Sequence, residues 1–179
     1  MNQDVKMQVS RYMSYLLRHN PEDLEMDKGG FVQIDKLLSK VKTRYPMVDR
    51  ELLMSMVHGG DKKRFEIIGD RIRALYGHTI EVKMELREDR EVMILYHGTT
   101  PHALNRIMET GLKPMRRKLV HLSPTKEIAL EVGKRRTRTP VVLAVDASRA
   151  RSNGVKFYKT TDQVYLCRYV SAKYIRICT

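Results

Sequence analysis

Phe65-Glu66-Ile67-Ile68-Gly69-Asp70-Arg71-Ile72-Arg73-Ala74 decides the first half of the chain. Apolar and polar residues alternate on both sides of the turn pair Gly69-Asp70, and a period of two puts one face of each arm on a core. The stretch reads as a β-hairpin. Upstream of it, Asp49 reads as the N-cap of a helix with the apolar stripe Leu52, Leu53, Met56 and Val57, closed by Gly59-Gly60. Ile34, Leu37, Leu38 and Val41 mark an earlier helix with Asp35 in its first turn, and Gly29-Gly30 turns into a short strand at Phe31-Val32. Val9, Tyr12, Met13, Leu16 and Leu17 recur at helical spacing and predict a first helix over about residues 4–19, stopped by Pro21. Helix, short strand, helix, helix, hairpin is the order of a winged helix. That fold often binds nucleic acid, but fold does not fix function.

The second half reads differently. Residues 77–91 are polar and charged, and the expected division is a first lobe over 1–80, a linker over 81–91 and a second lobe over 92–179. Val92-Met93-Ile94-Leu95-Tyr96 is a buried strand running into His97-Gly98-Thr99. A helix over about Pro101 to Glu109 follows, with proline favoured in its first turn and Gly111 closing it. Leu119 to Leu122 is a short strand, and Ser123-Pro124 starts a helix through Ile128, Ala129 and Val132. The continuous apolar run Val141 to Val145 is a central strand. Gln163 to Arg168 and Tyr174 to Ile177 are further strands. The fold class expected is α+β.

The chain carries 34 Lys+Arg against 21 Asp+Glu over 179 residues, a formal net charge of +13. Such an excess suits a polyanionic partner or a generally solvated basic surface, and the clustering of its arginines favours a nucleic acid. Cys167 and Cys178 have no metal-ligand spacing and no second pair, so neither zinc nor a disulfide framework is expected, and no metal site is assigned. Met1-Asn2-Gln3-Asp4 leads into an amphipathic pattern with no signal peptide, and no apolar run is long enough to cross a bilayer. A soluble, cytoplasmic protein without a membrane partner is expected.

Three basic clusters stand out: Arg18-His19 at the end of the first helix, Asp61-Lys62-Lys63-Arg64 before the hairpin, and Arg116-Arg117-Lys118 before Val120-His121-Leu122-Ser123. The planar guanidinium grips phosphate through two parallel hydrogen bonds, so such clusters suit a highly charged ligand. Each also has a structural reading. Cations favour a helix C-terminus, Lys62-Lys63-Arg64 fits a solvated face, and Ser123 before Pro124 fits a helix cap. His97-Gly98-Thr99 and His121-Leu122-Ser123 each place an imidazole at a strand end with a hydroxyl two residues on. Imidazole and hydroxyl groups there suit ribose hydroxyls or a carboxamide.

Together these segments resemble the RNA 2′-phosphotransferase family, the KptA-like enzymes that use NAD. The resemblance runs through Ser14-Tyr15-Leu16-Leu17-Arg18-His19, Gly59-Gly60-Asp61-Lys62-Lys63-Arg64-Phe65, Leu95-Tyr96-His97-Gly98-Thr99, and Gly111-Leu112-Lys113 with Arg117 and Val120-His121-Leu122-Ser123. It continues through Val132-Gly133-Lys134-Arg135, Pro140 to Leu143 and Asp146-Ala147, then Gly154 to Tyr158 and Val164-Tyr165-Leu166. It implies a winged-helix-like N-terminal lobe followed by an ADP-ribosyltransferase-type lobe. It also implies a reaction. An internal RNA 2′-phosphate, of the tRNA splice-junction type, attacks the nicotinamide ribose of NAD as co-substrate, and 2′-hydroxyl RNA, nicotinamide and ADP-ribose 1″,2″-cyclic phosphate are released.

By position the family's catalytic tetrad falls on Arg18, His19, Arg64 and Arg117. The resemblance places His97, Gly98, Thr99, His121 and Ser123 on NAD, with Gly98 allowing close approach of the nicotinamide end. Arg135 is assigned to the adenylate side or to RNA, and Lys62 and Lys63 to RNA. Position 116 is arginine where the family commonly has serine, and Arg117 is chosen over Arg116 by its spacing from Gly111 and His121. Val164 stands where many ADP-ribosyltransferases carry an acidic residue, which argues against transfer to protein side chains. Two other functions fit the same features: NAD-dependent ADP-ribosylation of nucleic-acid 5′-phosphate ends, and non-catalytic RNA binding.

Overall fold

The computed structural model describes residues 3–59 and 63–178. The chain divides into two compact units, Met1–Glu85 and Leu86–Thr179, each with its own core.

The first unit opens with α1 (Gln3–Arg18), which buries Val9, Met13, Leu16 and Leu17 at i, i+4, i+7 and i+8. The two-residue strand β1 (Val32–Gln33) leads straight into α2 (Ile34–Arg44). α3 (Arg50–His58) begins at Asp49, whose carboxylate accepts the Leu52 N–H at 2.8 Å, and ends at Gly59. This is the cap the sequence announces. β2 (Phe65–Ile68) and β3 (Arg71–Ala74) form the expected hairpin, with Ile67 paired to Ile72, and the antiparallel sheet runs β1-β3-β2. The helices pack Leu37, Val41 and Leu53 with Phe65 and Ile72 beneath α1. Fully burying such a side chain contributes about 1.5–3 kcal/mol.

In the second unit, Glu88–Asp89, inside the stretch expected to be linker, forms strand β4. β5 (Ile94–Thr99) is followed by α4 (Pro101–Thr110), which carries Pro101 in its first turn and is capped by the Thr100 hydroxyl. Next come β6 (Val120–Leu122), α5 (Lys126–Lys134), β7 (Val141–Asp146) and α6 (Ala147–Ser152). The chain closes with β8 (Phe157–Thr161), β9 (Val164–Cys167), a 3₁₀ turn (Ala172–Tyr174) and β10 (Ile175–Ile177). β7 is the centre of the sheet β10-β7-β5, and a second sheet runs β4-β8-β9-β6. All pairings are antiparallel. The class is therefore mixed α and β with antiparallel sheets.

One helix start differs from expectation. The Thr125 hydroxyl, not Ser123, caps α5 by accepting from the Ile128 N–H. Ser123 is held in an extended bridge to Tyr96 and cannot turn into a helix there. Cys167 is buried and unpaired, and burial pushes its thiol up to about 12. Among the described residues no helix is long and apolar enough to cross a membrane.

Candidate active site

In the first unit the site grows from the end of α1. Leu16 and Leu17 are fully buried and pin the last turn, leaving Arg18 half-buried and His19 exposed at the helix terminus. The Arg18 guanidinium lies 4.9 Å from the Tyr76 ring centroid and 6.0 Å from that of Phe65. Aromatic faces hold a guanidinium by its flat sides. Gly77, at φ 91, completes this seat, because a Cβ there would stand 3.4 Å from the Arg18 Cδ.

Arg64, the half-buried residue just before β2, has its carbonyl fixed by the Leu75 N–H at 3.0 Å. Lys63 is exposed. Lys62, also assigned to RNA from the sequence, lies outside the described residues.

Thr79 was not singled out from the sequence, yet it organises this end of α1. Its backbone N–H donates to the Arg18 carbonyl at 2.9 Å, and its hydroxyl lies 3.1 Å from His19 Nδ1 and 3.4 Å from that carbonyl. A hydroxyl donating to the carbonyl must accept from the ring, which assigns the proton to Nδ1. Nε2 is then the basic nitrogen of neutral His19 and a donor when the ring is charged.

Next to it, His78 is only 7 % exposed and its Nε2 makes no hydrogen bond among the described residues. Burial pushes its pKa down to about 4, helped by the positive charges of Arg18, His19 and Arg73. A buried neutral imidazole beside the guanidiniums of Arg18 and Arg73 marks a region of positive potential. The only sequence signal for these two residues is their place just after the hairpin.

In the second unit, Tyr96 and Ser123 exchange backbone hydrogen bonds of 2.8 and 2.7 Å, which sets the middle of β5 beside the residue that follows β6. His97 Nδ1 donates to the His121 carbonyl at 3.0 Å, and His121 Nδ1 donates to the Leu119 carbonyl at 3.0 Å. A carbonyl only accepts, so both rings carry their proton on Nδ1 and both Nε2 atoms are acceptors in the neutral form. Burial holds His97 below the usual imidazole range. The His121 carbonyl opposes this, and the charges of Arg117 and Arg136 reinforce it.

Thr99 and Ser123 are both buried near the ends of these strands. Arg117 is exposed and closes a turn in which its N–H donates to the Pro114 carbonyl at 3.0 Å, with Met115 at φ 55. Of the pair Arg116 and Arg117, it is Arg117 whose charge acts on His97. In the basic loop after α5, the cation felt at His97 is Arg136. Arg135, favoured from the sequence, is the exposed C-cap of α5.

Gly98 has a packing reason besides the one expected. A Cβ there would lie 1.9 Å from the Ala129 carbonyl oxygen and 2.9 Å from the Gly133 nitrogen. The space it leaves is taken up by α5, so glycine is required by helix-on-strand packing on that face.

The chain matches the RNA 2′-phosphotransferase, Tpt1 / KptA family over residues 4–169. It belongs to the RNA 2′-phosphotransferase family. A probable RNA 2′-phosphotransferase of Thermococcus kodakarensis is 44% identical over 167 residues, covering 92% of this chain and 93% of that protein. One from Streptomyces coelicolor is 41% identical over 178 residues, covering 98% and 97%. In Archaeoglobus fulgidus, probable RNA 2′-phosphotransferase 1 is 39% identical over 170 residues, covering 94% of this chain and 79% of its own length. Membership makes this chain a transferase with RNA as substrate. Among the described residues no group of three or more His, Cys, Asp and Glu side chains is placed to hold a metal.

Proposed function

We propose that this RNA 2′-phosphotransferase moves an internal 2′-phosphate, of the kind found at tRNA splice junctions, onto NAD. When bound, NAD supplies the ribose carbon that accepts the phosphate, and ADP-ribose 1″,2″-cyclic phosphate, nicotinamide and 2′-hydroxyl RNA result. The observation that carries this reading is the pair His97 and His121. Both rings have Nδ1–H tied to a backbone carbonyl, and His97 is kept neutral beside the charges of Arg117 and Arg136. Neutral Nε2 acceptors suit ribose hydroxyls, and the nearby guanidiniums suit a pyrophosphate, so the residues present fit the dinucleotide. Thr99 and Ser123 add hydroxyl groups near the ends of the same strands.

Arg18, Arg64 and Arg117 are assigned to the phosphate. Their task is to stabilise charge as the phosphorus–oxygen bond to RNA breaks. His19, with Nδ1 held by Thr79, gives its Nε2 proton to the departing 2′-oxygen. Lys62 and Lys63 are assigned to neighbouring RNA phosphates. The order α1-β1-α2-α3-β2-β3 supports a winged-helix reading of the first unit, and the paired antiparallel sheets support an ADP-ribosyltransferase-type second unit.

Nicotinamide release tests the proposal. It should require RNA bearing an internal 2′-phosphate and should not occur with the same RNA carrying only a 5′-phosphate. Equal release with the 5′-phosphorylated RNA would overturn it in favour of end modification.

A further inference from the structure

The outer face of α1 carries a second feature that the tetrad does not use. Gln8, Arg11, Tyr12 and Tyr15 fall at i, i+3, i+4 and i+7, beside the buried stripe of the same helix. With Arg44 and Tyr45 from the end of α2 and with Glu22, they line a cavity of about 600 Å³. That volume lies within the range of small-molecule and nucleotide sites. The Tyr12 and Tyr45 rings stand 6.2 Å apart at 57°, and the Arg44 guanidinium sits 5.3 Å and 5.7 Å from their centroids. Tyr15 is 43 % exposed, and its hydroxyl accepts from the Asn20 amide at 3.1 Å.

The charges are unbalanced. Glu22, the cavity's carboxylate, is engaged by Lys40 at 2.7 Å. Arg11 and Arg44 have no ion-pair partner among the described residues, although both stand on a helix with acidic neighbours elsewhere. Three tyrosine rings and two guanidiniums without an ion-pair partner among the described residues, in one cleft, match an unpaired nucleotide. The rings offer stacking surface to a base of any identity, and the guanidiniums take the flanking phosphate. An acidic peptide would use the cations but not the rings.

The cleft also adjoins the tetrad. The Tyr15 and His19 rings are 6.3 Å apart, and the two residues are one helical turn apart along α1, about 5–6 Å.

We propose that the cleft between α1 and the end of α2 is an RNA subsite that holds an unpaired nucleotide next to the 2′-phosphorylated one. This rests on RNA phosphate transfer at His19, the function proposed above. The enzyme therefore reads single-stranded context around the phosphate, and longer substrates gain affinity that a minimal one lacks.

The experiment compares a 2′-phosphorylated dinucleotide with a 2′-phosphorylated oligonucleotide of about ten residues, long enough to fill a single-strand site. Arg11→Ala/Arg44→Ala should raise KM for the longer RNA about tenfold, the scale of one lost charge-assisted hydrogen bond to its phosphate. It should leave kcat and the dinucleotide KM unchanged. Abasic residues flanking the phosphate should reproduce that rise in the parent protein.

Unchanged KM for the longer RNA in the variant would overturn the subsite. So would an equal rise for both substrates, which would put these arginines at the reacting phosphate. Anisotropy of a labelled, unphosphorylated oligonucleotide is read in parallel and needs no turnover. Weaker binding by the variant supports the subsite even if the parent turns over neither substrate, which would overturn only the proposed reaction. Equal binding overturns the subsite.

Discussion

Gly98→Ala separates packing from ligand approach in the strand that carries His97. A methyl at this position would meet the Ala129 carbonyl oxygen at 1.9 Å and the Gly133 nitrogen at 2.9 Å. Both are backbone atoms, so no side chain can swing aside. Real Cβ contacts keep about 3 Å or more, which means α5 must retreat from β5 by about 1 Å. Gly133 faces Gly98 across the same contact, and a Cβ on Gly133 would meet Pro140 at 2.6 Å, so the helix has little room to roll instead. Overpacking of this kind costs about 3 kcal/mol. For a chain of this length that lowers Tm by about 6–12 °C.

The displaced helix also carries the loop with Arg136, so the charge at His97 weakens with it. Differential scanning calorimetry of the ligand-free protein reads the effect. A variant with the parent Tm but impaired NAD-dependent turnover would refute the packing account and return Gly98 to the role of admitting the dinucleotide.

Three more expectations follow from the site. His78 is neutral in the fold with its pKa near 4, against about 6.5 when unfolded, so the unfolded state binds the extra proton between these values. Its contribution is therefore full above about pH 6.5 and lost as pH falls towards 4, by up to about 3 kcal/mol. Thermal unfolding across that window should show the fall, and His78→Gln should flatten it. Thr79→Val keeps the shape but removes the hydroxyl that orients His19, and should lower kcat about tenfold with KM for NAD unchanged, while Thr79→Ser restores it. A serine variant as slow as the valine one would deny Thr79 its orienting role. Arg18→Ala should slow release of 2′-hydroxyl RNA by about 100-fold or more while nicotinamide release in a single turnover slows less. Equal slowing of both would move Arg18 to an earlier step.

Much of the fold was legible because its signals are local. The hairpin alternates around Gly69-Asp70, Asp49 caps the helix after it, Pro101 opens α4, and the apolar run from Val141 is the centre of its sheet. The elements not anticipated lack such signals. Glu88–Asp89 is a strand of two charged residues, defined only by its partner β8. β8 itself has an irregularity between Lys159 and Thr161 that breaks the period of two. α6 buries only Ala147 and Ala150, too small a stripe to read as amphipathic.

The site divides in the same way. Arg18 and His19 stand at the helix end that the sequence marks, whereas His97 and His121, expected at strand ends, lie inside β5 and β6. Thr79 reaches His19 across 60 residues, and Arg136 reaches His97 through the turn of a loop, which no spacing rule encodes. Ser123 misled for a physical reason: the serine-proline pair that resembles a helix start is held in a strand bridge to Tyr96.

The central claim is that the 2′-phosphate leaves RNA by transfer to NAD rather than to water. Its most direct test is to follow a radiolabelled internal 2′-phosphate through one turnover with and without NAD. The account predicts that label leaves the RNA only when NAD is present and is recovered in a cyclic phosphate of ADP-ribose. Label recovered as inorganic phosphate, or released at the same rate without NAD, would contradict it.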